Sequence, residues 1–315
     1  MTEIRDGLLR RGLKLSHLRL MQALGDTGQI GAAAGRIGIA QPAASRLLGE
    51  VEQIVGQPVH ERTGRGVALT PAGAALARRS ARVLTELADA GRELDEITGG
   101  TAGRVRIGSV TGPALDRVLP TLRAARLALP GVTAEVTVGP SDLLNTQLLE
   151  GRLDFAIGRL PEDETRPLFD TRIIETEPVE LMVRRGHRLA QAPVAAADLV
   201  AYDWVMPGTD AILWRAVTAR LRILGLPDPP QRLSTASFLL TLAMVQHSNA
   251  VAPLARAVAD TFGRGRGAPF AVVPIDLGIE VEPFGLVTRV GAVLTPAARQ
   301  LADMVLAIRP ATGHG

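Results

Sequence analysis

The sequence lacks cysteine altogether and has no long apolar run. Without cysteine, the chain can form no disulfide bond, thiolate metal site, thiol redox sensor or cysteine nucleophile. The longest apolar runs, such as Phe238 to Val245, are far shorter than the roughly 20 residues that a membrane span needs. Residues 1–15 alternate charged residues with leucine and contain no apolar core of a secretory signal peptide. These absences predict a soluble cytoplasmic protein that does not enter a membrane.

Sequence motifs of the common enzyme classes are missing as well. The chain contains no Gly-x-Ser-x-Gly, His-Glu-x-x-His or P-loop pattern. Residues 263–267 alternate glycine with arginine, but no strand-to-helix context frames them as a phosphate loop. The histidines are too scattered to predict a metal site from their spacing: His17, His60, His187, His247 and His314. We therefore expect no catalytic residue, no metal ion and no cofactor.

The chain has enough hydrophobic residues for more than one domain, and its charge is distributed unevenly along the sequence. Of its 315 residues, 46% are hydrophobic, which permits a sizeable buried core. Residues 1–80 hold ten Arg and one Lys against six acids, a net charge of +5, so the remaining residues carry −2 of the total +3. A basic N-terminal part suits DNA binding, although an ordinary solvated surface explains the charge equally well.

Apolar spacing predicts three short helices in the N-terminal part. The first follows Ser16 as its N-cap and ends near Gly25, the second covers residues 30–37, and the third opens at Pro42. Two short helices joined by a glycine turn favour a helix-turn-helix, whose second helix enters the major groove with its N-terminal residues. The residues at that position of the third helix are Gln41, Pro42, Ser45 and Arg46. We expect them to contact DNA, while simple solvation of a helix start remains the alternative.

A glycine-punctuated basic loop follows at residues 61–66, before a short apolar strand. This pattern is typical of the wing of a winged helix-turn-helix, and it is also compatible with any surface hairpin. Arginines of a wing reach phosphates or a narrow minor groove. We therefore add three wing residues to the predicted DNA contacts: Arg62, Thr63 and Arg65.

The segment from Leu18 to Gly73 resembles the DNA-binding domain of LysR-type transcription regulators. The family pattern is Ala-Ala, Ser-Gln-Pro-Ala-x-Ser-Arg, Glu-Arg and Leu-Thr-x-x-Gly, and the chain supplies these elements in order: Ala33-Ala34, Gln41-Pro42-Ala43 with Ser45-Arg46, Glu61-Arg62, and Leu69-Thr70 with Gly73. The resemblance implies a winged helix-turn-helix over residues 1–73. The chain departs from the family where a Ser or Thr N-cap, a Thr or Ser helix start and a core aromatic are usual, at Ala40, Gly31 and His60.

Residues 74–100 are predicted to form a linker helix, because Thr70 and Pro71 are a strong helix start. Apolar and small residues continue in two heptad rows: Leu76, Val83, Ala90 and Ile97, and Ser80, Leu87 and Leu94. The rows favour a coiled pair of helices, with packing on its own domain as the alternative. The LysR resemblance implies a dimer or a dimer of dimers, whose heads read an inverted-repeat operator in double-stranded DNA, with RNA polymerase as a further candidate partner.

Residues 101–315 are predicted to be an α/β effector domain after a glycine-rich hinge at 99–103. Strand and helix patterns alternate as βαβαβ, which predicts a parallel sheet covered on both faces. The segment resembles the LysR sensor domain, which is similar to type 2 periplasmic solute-binding proteins. That resemblance implies two lobes: lobe I over about 103–177 and 283–308, and lobe II over about 178–282.

Ligands of open α/β sheets bind beyond the carboxyl ends of strands, where helices begin. Residues at such places are predicted to contact an effector between the lobes, although helix capping explains their hydroxyls equally well. From lobe I they are Ser109, Thr111, Gly112 and Ser141, and from lobe II Pro207, Thr209 and Ser237.

Within the LysR family, the sensor half resembles the branch named for the galactose-binding-protein regulator. The resemblance rests on the segment Val110 to Pro120, on Ala156 to Pro161 and on Gly285 to Arg289. It implies a small-molecule effector, a sugar, a sugar acid or another small organic acid. Two alternatives stay open: a stand-alone solute-binding protein, and a DNA-binding protein that senses nothing, which a ligand-induced thermal shift would distinguish.

Overall fold

The computed structural model describes residues 7–63, 66–99, 103–191, 193–265 and 267–308. The N-terminal head consists of short helices followed by a two-stranded antiparallel hairpin. Its elements are α1 (Gly7–Arg10), α2 (Leu15–Thr27), α3 (Ile30–Arg36), α4 (Gln41–Val55), β1 (His60–Thr63) and β2 (Gly66–Leu69). This order of elements is the predicted winged helix-turn-helix.

The start of α2 differs from the prediction. Lys14, not Ser16, is the N-cap, and Ser16 lies exposed in the first turn. The buried His17, at the third helical position, holds this start, because its Nδ1 accepts a hydrogen bond from the Lys14 backbone N–H at 3.1 Å. At its other end α2 continues through Gly25 to Thr27, two residues beyond the predicted stop.

The small residues predicted to lie inside the head are there. Ala33 and Ala34 of α3 are buried, and they let α3 pack closely on α2 and α4. Around them lies one apolar core, formed chiefly by Leu20, Met21, Leu24, Ala44, Leu48, Val51 and Val59. The head therefore has a hydrophobic core of its own.

The linker helix α5 (Pro71–Gly99) begins as predicted, since Thr70 Oγ1 accepts a hydrogen bond from Gly73 N at 3.1 Å. Its first half packs against α2 and buries Ala77, Ser80 and Ala81. The predicted coiled-coil seam is therefore wrong for these turns, where packing on its own domain is the correct alternative. The following turns expose apolar side chains, with Val83 45%, Leu87 52% and Leu94 64% exposed.

The first described element of the effector domain is a strand that begins at Gly103. Most of the predicted hinge, residues 100–102, lies outside the described residues. Its strands are β3 (Gly103–Ser109), β4 (Val132–Val138), β5 (Phe155–Gly158), β6 (Phe169–Arg184), β7 (Trp204–Met206), β8 (Gln231–Ser234), β9 (Ala252–Ala255), β10 (Phe270–Val272) and β11 (Glu280–Arg289). Its helices are α6 (Thr111–Pro113), α7 (Leu119–Ala128), α8 (Ser141–Leu149), α9 (Ile212–Ile223), α10 (Phe238–His247), α11 (Arg256–Phe262) and α12 (Pro296–Ala307). A π-helical turn, Ala114–Val118, joins α6 to α7.

The effector domain has two lobes that share two long strands. In lobe I, β3 pairs parallel with β4 and β5, which confirms the βαβαβ prediction. β6 pairs with β11 at its start and with β9 and β10 at its end, so it passes from lobe I into lobe II, and β11 returns. The predicted lobe limits at 177 and 283 fall within these two crossing strands.

Each lobe buries its own apolar residues. In lobe I, α7 and α12 cover one face of the sheet, where Leu301 of α12 shares a core with Ile107 and Phe155, and α8 covers the other face. Lobe II has a core around Trp204 and Val217. The lobes also touch, because α11 of lobe II packs against α6 of lobe I. None of the described helices is long and apolar enough to cross a membrane.

Candidate DNA-binding and effector-binding sites

The start of α4 presents a polar face to solvent. Gln41, Pro42, Ser45 and Arg46 are exposed, while Ala44 of the same turn is buried against the head. Pro42 sits in the first turn, where its missing N–H costs no helical hydrogen bond. Among the described residues, Arg46 forms no ion pair, so its guanidinium is available to a phosphate or a guanine edge. The four residues named from the sequence thus lie together on one protruding helix end.

The turn before α4 fixes how that helix end protrudes. The Ile39 backbone N–H donates to Ala34 O at 3.0 Å and closes the turn between α3 and α4. Gly31 lies beside the Gln41 amide, because a methyl group built on it would lie 3.4 Å from Gln41 Oε1. A serine or threonine, usual in the family, would be in van der Waals contact with Gln41 at this position.

The wing is the hairpin of β1 and β2. Arg62 and Thr63 lie in β1, where Arg62 is opposite Val67, and only their backbone belongs to the described structure. Arg65, also named from the sequence, lies outside the described residues. The Val67 N–H donates to Gly28 O at 3.3 Å, so the hairpin is attached to the end of α2. The wing and α4 therefore belong to one rigid head.

In lobe I, the ends of the three parallel strands converge on Ser141. Gly139, after β4, donates its N–H to Ser109 O at 3.1 Å, and the Ser141 hydroxyl accepts the N–H of Arg159, after β5, at 3.1 Å. Thr111 and Ser141 are partly exposed. Ser109 is fully buried and donates its hydroxyl to Val110 O at 2.9 Å. In this structure Ser109 cannot touch a ligand, since the strand alternation turns it inward.

Gly112 is a contact between lobes rather than an open ligand-facing position. A methyl group built on it would lie 3.0 Å from Ala255 Cβ of lobe II and still closer to the Glu177 carboxylate. Glu177 in turn accepts from Arg159 Nη2 at 2.6 Å, and Arg159 Nε donates to Glu282 O at 2.8 Å. Only glycine leaves room for this carboxylate. The expected effector contact at Gly112 is thus replaced by a buried ion pair of the chain itself.

In lobe II the two predicted segments are adjacent. The Thr235 N–H donates to Met206 O at 3.1 Å, and a methyl group on Gly208 would lie 3.8 Å from Ser234 Oγ. Pro207 is partly exposed, and Thr209 and Ser237 are exposed. Ser237 also caps α10, because its hydroxyl accepts the Leu240 N–H at 3.3 Å. Both its predicted alternatives, capping and exposure to a ligand, are therefore compatible with its position.

A second charged cluster lies where α6, the π-helical turn and β6 meet. The buried Arg117 donates to Glu175 and to the carbonyl of Ile308. Burial raises the pKa of Asp116 to about 6, and the negative charges of Glu175 and Glu177 add to the effect while Arg117 opposes it. Asp116 is therefore a carboxyl that changes charge near neutral pH beside the strand that joins the lobes.

Two family profiles match the chain over nearly its whole length. The profile of the LysR substrate binding domain matches residues 98–308, and the profile described as bacterial regulatory helix-turn-helix protein, lysR family, matches residues 15–74. The first alone covers more than half of the chain. The chain belongs to the LysR family.

Relatives of this LysR protein are named as regulators. It is 42% identical over 260 residues to the HTH-type transcriptional regulator GbpR of Rhizobium radiobacter, covering 82% of this chain and 86% of the relative. It is 36% identical over 293 residues to GbpR of Azospirillum brasilense, covering 92% and 85%. The chain is thus a LysR-type transcription regulator with a helix-turn-helix and an effector-binding domain, in a family whose members act as regulators and not as enzymes.

Solved structures agree with the fold. Full-length CbnR in complex with its target DNA superposes with a TM-score of 0.66 at 22% identity, covering 93% of this chain and 99% of that one. At this identity the likeness concerns the fold. It confirms the predicted architecture of head, linker helix and two-lobed domain.

Arg159 and Glu177 of the LysR effector domain are not among the residues predicted from the sequence. Arg159 follows the third parallel strand, so the rule that selected Thr111 and Ser141 from the first two strands would have selected it too. Glu177 gave no such signal, because it lies inside β6, and its neighbour Gly112 is far away in the sequence.

Proposed function

We propose that this LysR regulator binds an inverted-repeat operator in double-stranded DNA as a dimer or tetramer, and that a small effector held between its lobes changes the binding. The observation that carries the proposal is the exposed polar start of α4 on a basic head. The proposed DNA contacts are Gln41, Pro42, Ser45 and Arg46 of α4, and Arg62, Thr63 and Arg65 of the wing. Gln41 and Arg46 suit base edges, whereas wing arginines suit phosphates.

Self-association supplies the second head that an inverted repeat requires. The exposed Val83 and Leu87 of α5 support pairing through the middle of the linker helix, after its first half has been covered by the head. Two paired helices would carry two heads that reach successive major grooves, roughly 34 Å apart. We further propose a cytoplasmic location, and RNA polymerase as a partner at the promoter.

The proposed effector site lies between the lobes, at the ends of strands from both. Its candidate contacts are Thr111 and Ser141 of lobe I and Pro207, Thr209 and Ser237 of lobe II. Hydroxyl groups suit a sugar or a small organic acid, because both offer several oxygen atoms to hydrogen-bond donors. Binding changes the regulator only if the effector prefers one arrangement of the lobes, which would then alter the angle between the heads and the bending of DNA.

The DNA contact is tested with Arg46→Ala. Footprinting of the DNA upstream of the regulator's own gene locates the operator, and titration of that fragment gives the affinity. We expect Arg46→Ala to weaken specific binding by about 1–3 kcal/mol. Arg222→Ala, which removes an exposed arginine from lobe II, is the matched control and should bind normally. An unchanged footprint and affinity for Arg46→Ala would refute the assignment of α4.

The effector is tested by thermal shift of the full chain against a panel of sugars and small organic acids. A compound that raises Tm should also change the footprint. If no compound of either class does so, the sensing part of the proposal fails and the DNA-binding protein without a sensor is favoured.

A further inference from the structure

Arg289 is a buried cation at the end of β11, with 8% of its side chain exposed. Its guanidinium donates to Glu86 on the linker helix α5. Among the described residues, Arg289 Nε and Nη1 have no hydrogen-bond partner. Because a buried charge must be paired, lobe I depends on the linker helix to hold this arginine.

Asp154 of lobe I is the opposite case, a buried anion with 5% of its side chain exposed. It accepts from Arg92 Nη2 of α5 at 2.9 Å, and from Arg106 of β3 at 2.7 Å through both Nη2 and the backbone N–H. Burial by itself would raise the pKa of Asp154, but the hydrogen bonds from Arg106 and Arg92 outweigh it and keep the pKa below its usual value. Asp89 of α5 joins the cluster at 3.4 Å from Arg106.

The contacting residues of α5 recur every three positions, so Glu86, Asp89 and Arg92 follow one side of the helix. Thr85 lies on the same side against Gly151, whose φ of +71° and lack of a side chain allow the close approach. A cavity of about 20 Å³ remains between α5 and lobe I, with room for about one water molecule. Asp154 and Arg289 are among the residues that line it. The junction between α5 and lobe I is therefore packed and charged.

The head joins this arrangement at a second place. Arg152 of lobe I lies 3.2 Å from Asp26 at the end of α2, and Asp26 also holds Arg36 of α3 at 2.9 Å. This outer contact is exposed and weak, since surface ion pairs add little to stability. The buried pairs at α5 are the ones that can set the orientation.

We infer that Glu86, Asp89 and Arg92 of the linker helix form, with Arg289, Arg106 and Asp154 of lobe I, a latch that holds the DNA-binding head in a fixed orientation to the effector domain. Lobe I buries one cation, Arg289, and one anion, Asp154, and the linker helix supplies Glu86 to the first and Arg92 to the second. Opening the latch leaves Arg289 buried without its partner, so the junction has two states, closed or open. In the closed state, head, linker helix and lobe I form one body. The latch belongs to the free protein, and only its effect on operator geometry rests on the proposed function.

The absence of cysteine allows a direct test by spin labelling. Ser16→Cys on α2 and Leu127→Cys on α7 are both exposed and report the distance from head to lobe I. Labelled full-length protein is diluted into unlabelled protein, so that distances within one chain dominate the dipolar signal. We expect a narrow distance distribution, and at least a twofold broadening or a new population when Glu86→Ala and Arg92→Ala are combined.

The matched control combines Arg78→Ala with Glu93→Ala, which removes the same charges from the same helix outside the latch. It should retain the narrow distribution. Loss of Glu86 leaves Arg289 buried without its partner, which destabilises lobe I. Arg92→Ala alone is therefore a second variant that keeps lobe I folded, because Arg106 still holds Asp154. It should broaden the distribution and Arg92→Lys should restore part of the narrow population.

Distributions of the latch variants that superpose on the original would overturn the latch, as would equal broadening in the control. These results are independent of DNA. A narrow distribution in a protein that binds no operator would instead overturn the proposed function and leave the latch in place.

Discussion

The two candidate sites of this regulator are built in opposite ways. The helical part of the proposed DNA-binding face lies within six consecutive positions, from Gln41 to Arg46, and one helix presents it. The residues of the proposed effector-binding region come from strand ends that are far apart in the sequence, from Thr111 to Ser237. A local site can be found from helix periodicity and a start signal, whereas a dispersed site requires the topology of the sheet.

The two regions also treat arginine differently. Arg46 of the head is exposed and in no ion pair among the described residues, as a contact to DNA requires. Arg159 and Arg117 of lobe I are buried and paired with Glu177 and Glu175. Loss of a paired arginine or its partner should therefore damage stability, and loss of the exposed one should damage only binding.

Glu177→Ala should have the largest effect on stability. If it does not, the contrast between the paired and the exposed arginines is wrong. Removal of one member of a buried pair leaves an uncompensated charge, and we expect about 3 kcal/mol loss in the free energy of unfolding, at the low end because Arg159 keeps the Glu282 carbonyl. Thermal unfolding of the effector domain gives the value. Operator affinity below the melting temperature should stay normal, whereas unchanged melting would mean that the pair contributes nothing.

Gly73→Ala tests the head by the same measurement. A methyl group on Gly73 would lie 2.8 Å from the carbonyl carbon of Val59 and closer to its oxygen, so the backbone must move. We expect a loss of about 2 kcal/mol, within the range for overpacked sites. Gly49→Ala is the control, because nothing lies within 4 Å of the added methyl group. It should stabilise α4 by about 1 kcal/mol, and equal destabilisation by both variants would contradict this packing.

The sequence predicted the head more closely than the effector domain, and the reason is physical. Helices α3 and α4 follow from local spacing and glycine stops. Helix α2 begins before the predicted N-cap Ser16, where the buried His17 accepts the Lys14 N–H, and it ends two residues beyond its predicted stop. In the effector domain the parallel pairing of the first strands was also predictable, because strands joined by a crossover helix pair in parallel with one favoured hand. The residues that line the effector site could not be predicted, because the contact of Gly112 with Glu177 depends on the path of the crossing strand β6, which is far from Gly112 in the sequence.

Asp116→Asn tests the charged cluster by its pH dependence. Because the folded-state pKa of Asp116 is raised to about 6, the folded protein binds its proton more tightly than the unfolded chain, and stability falls as pH rises from about 4 to 6. Asparagine removes this loss. We expect about 1 kcal/mol of stabilisation at pH 7.5, reduced by solvent screening of a partly exposed group, and none at pH 4. Equal effects at both pH values would show that the charge of Asp116 is not responsible.

Ser141→Ala should have the smallest effect on stability and distinguishes a binding role from a structural one. Its hydroxyl accepts the Arg159 N–H, so we expect a loss of about 0.5–1 kcal/mol. Ser141→Thr keeps the acceptor and should restore the stability. If Ser141 also touches the effector, the alanine variant should weaken the effector response while operator binding in its absence stays normal. A response curve that overlays the original would leave Ser141 only its bond to Arg159, and the effector would then have to lie nearer Thr111 and lobe II.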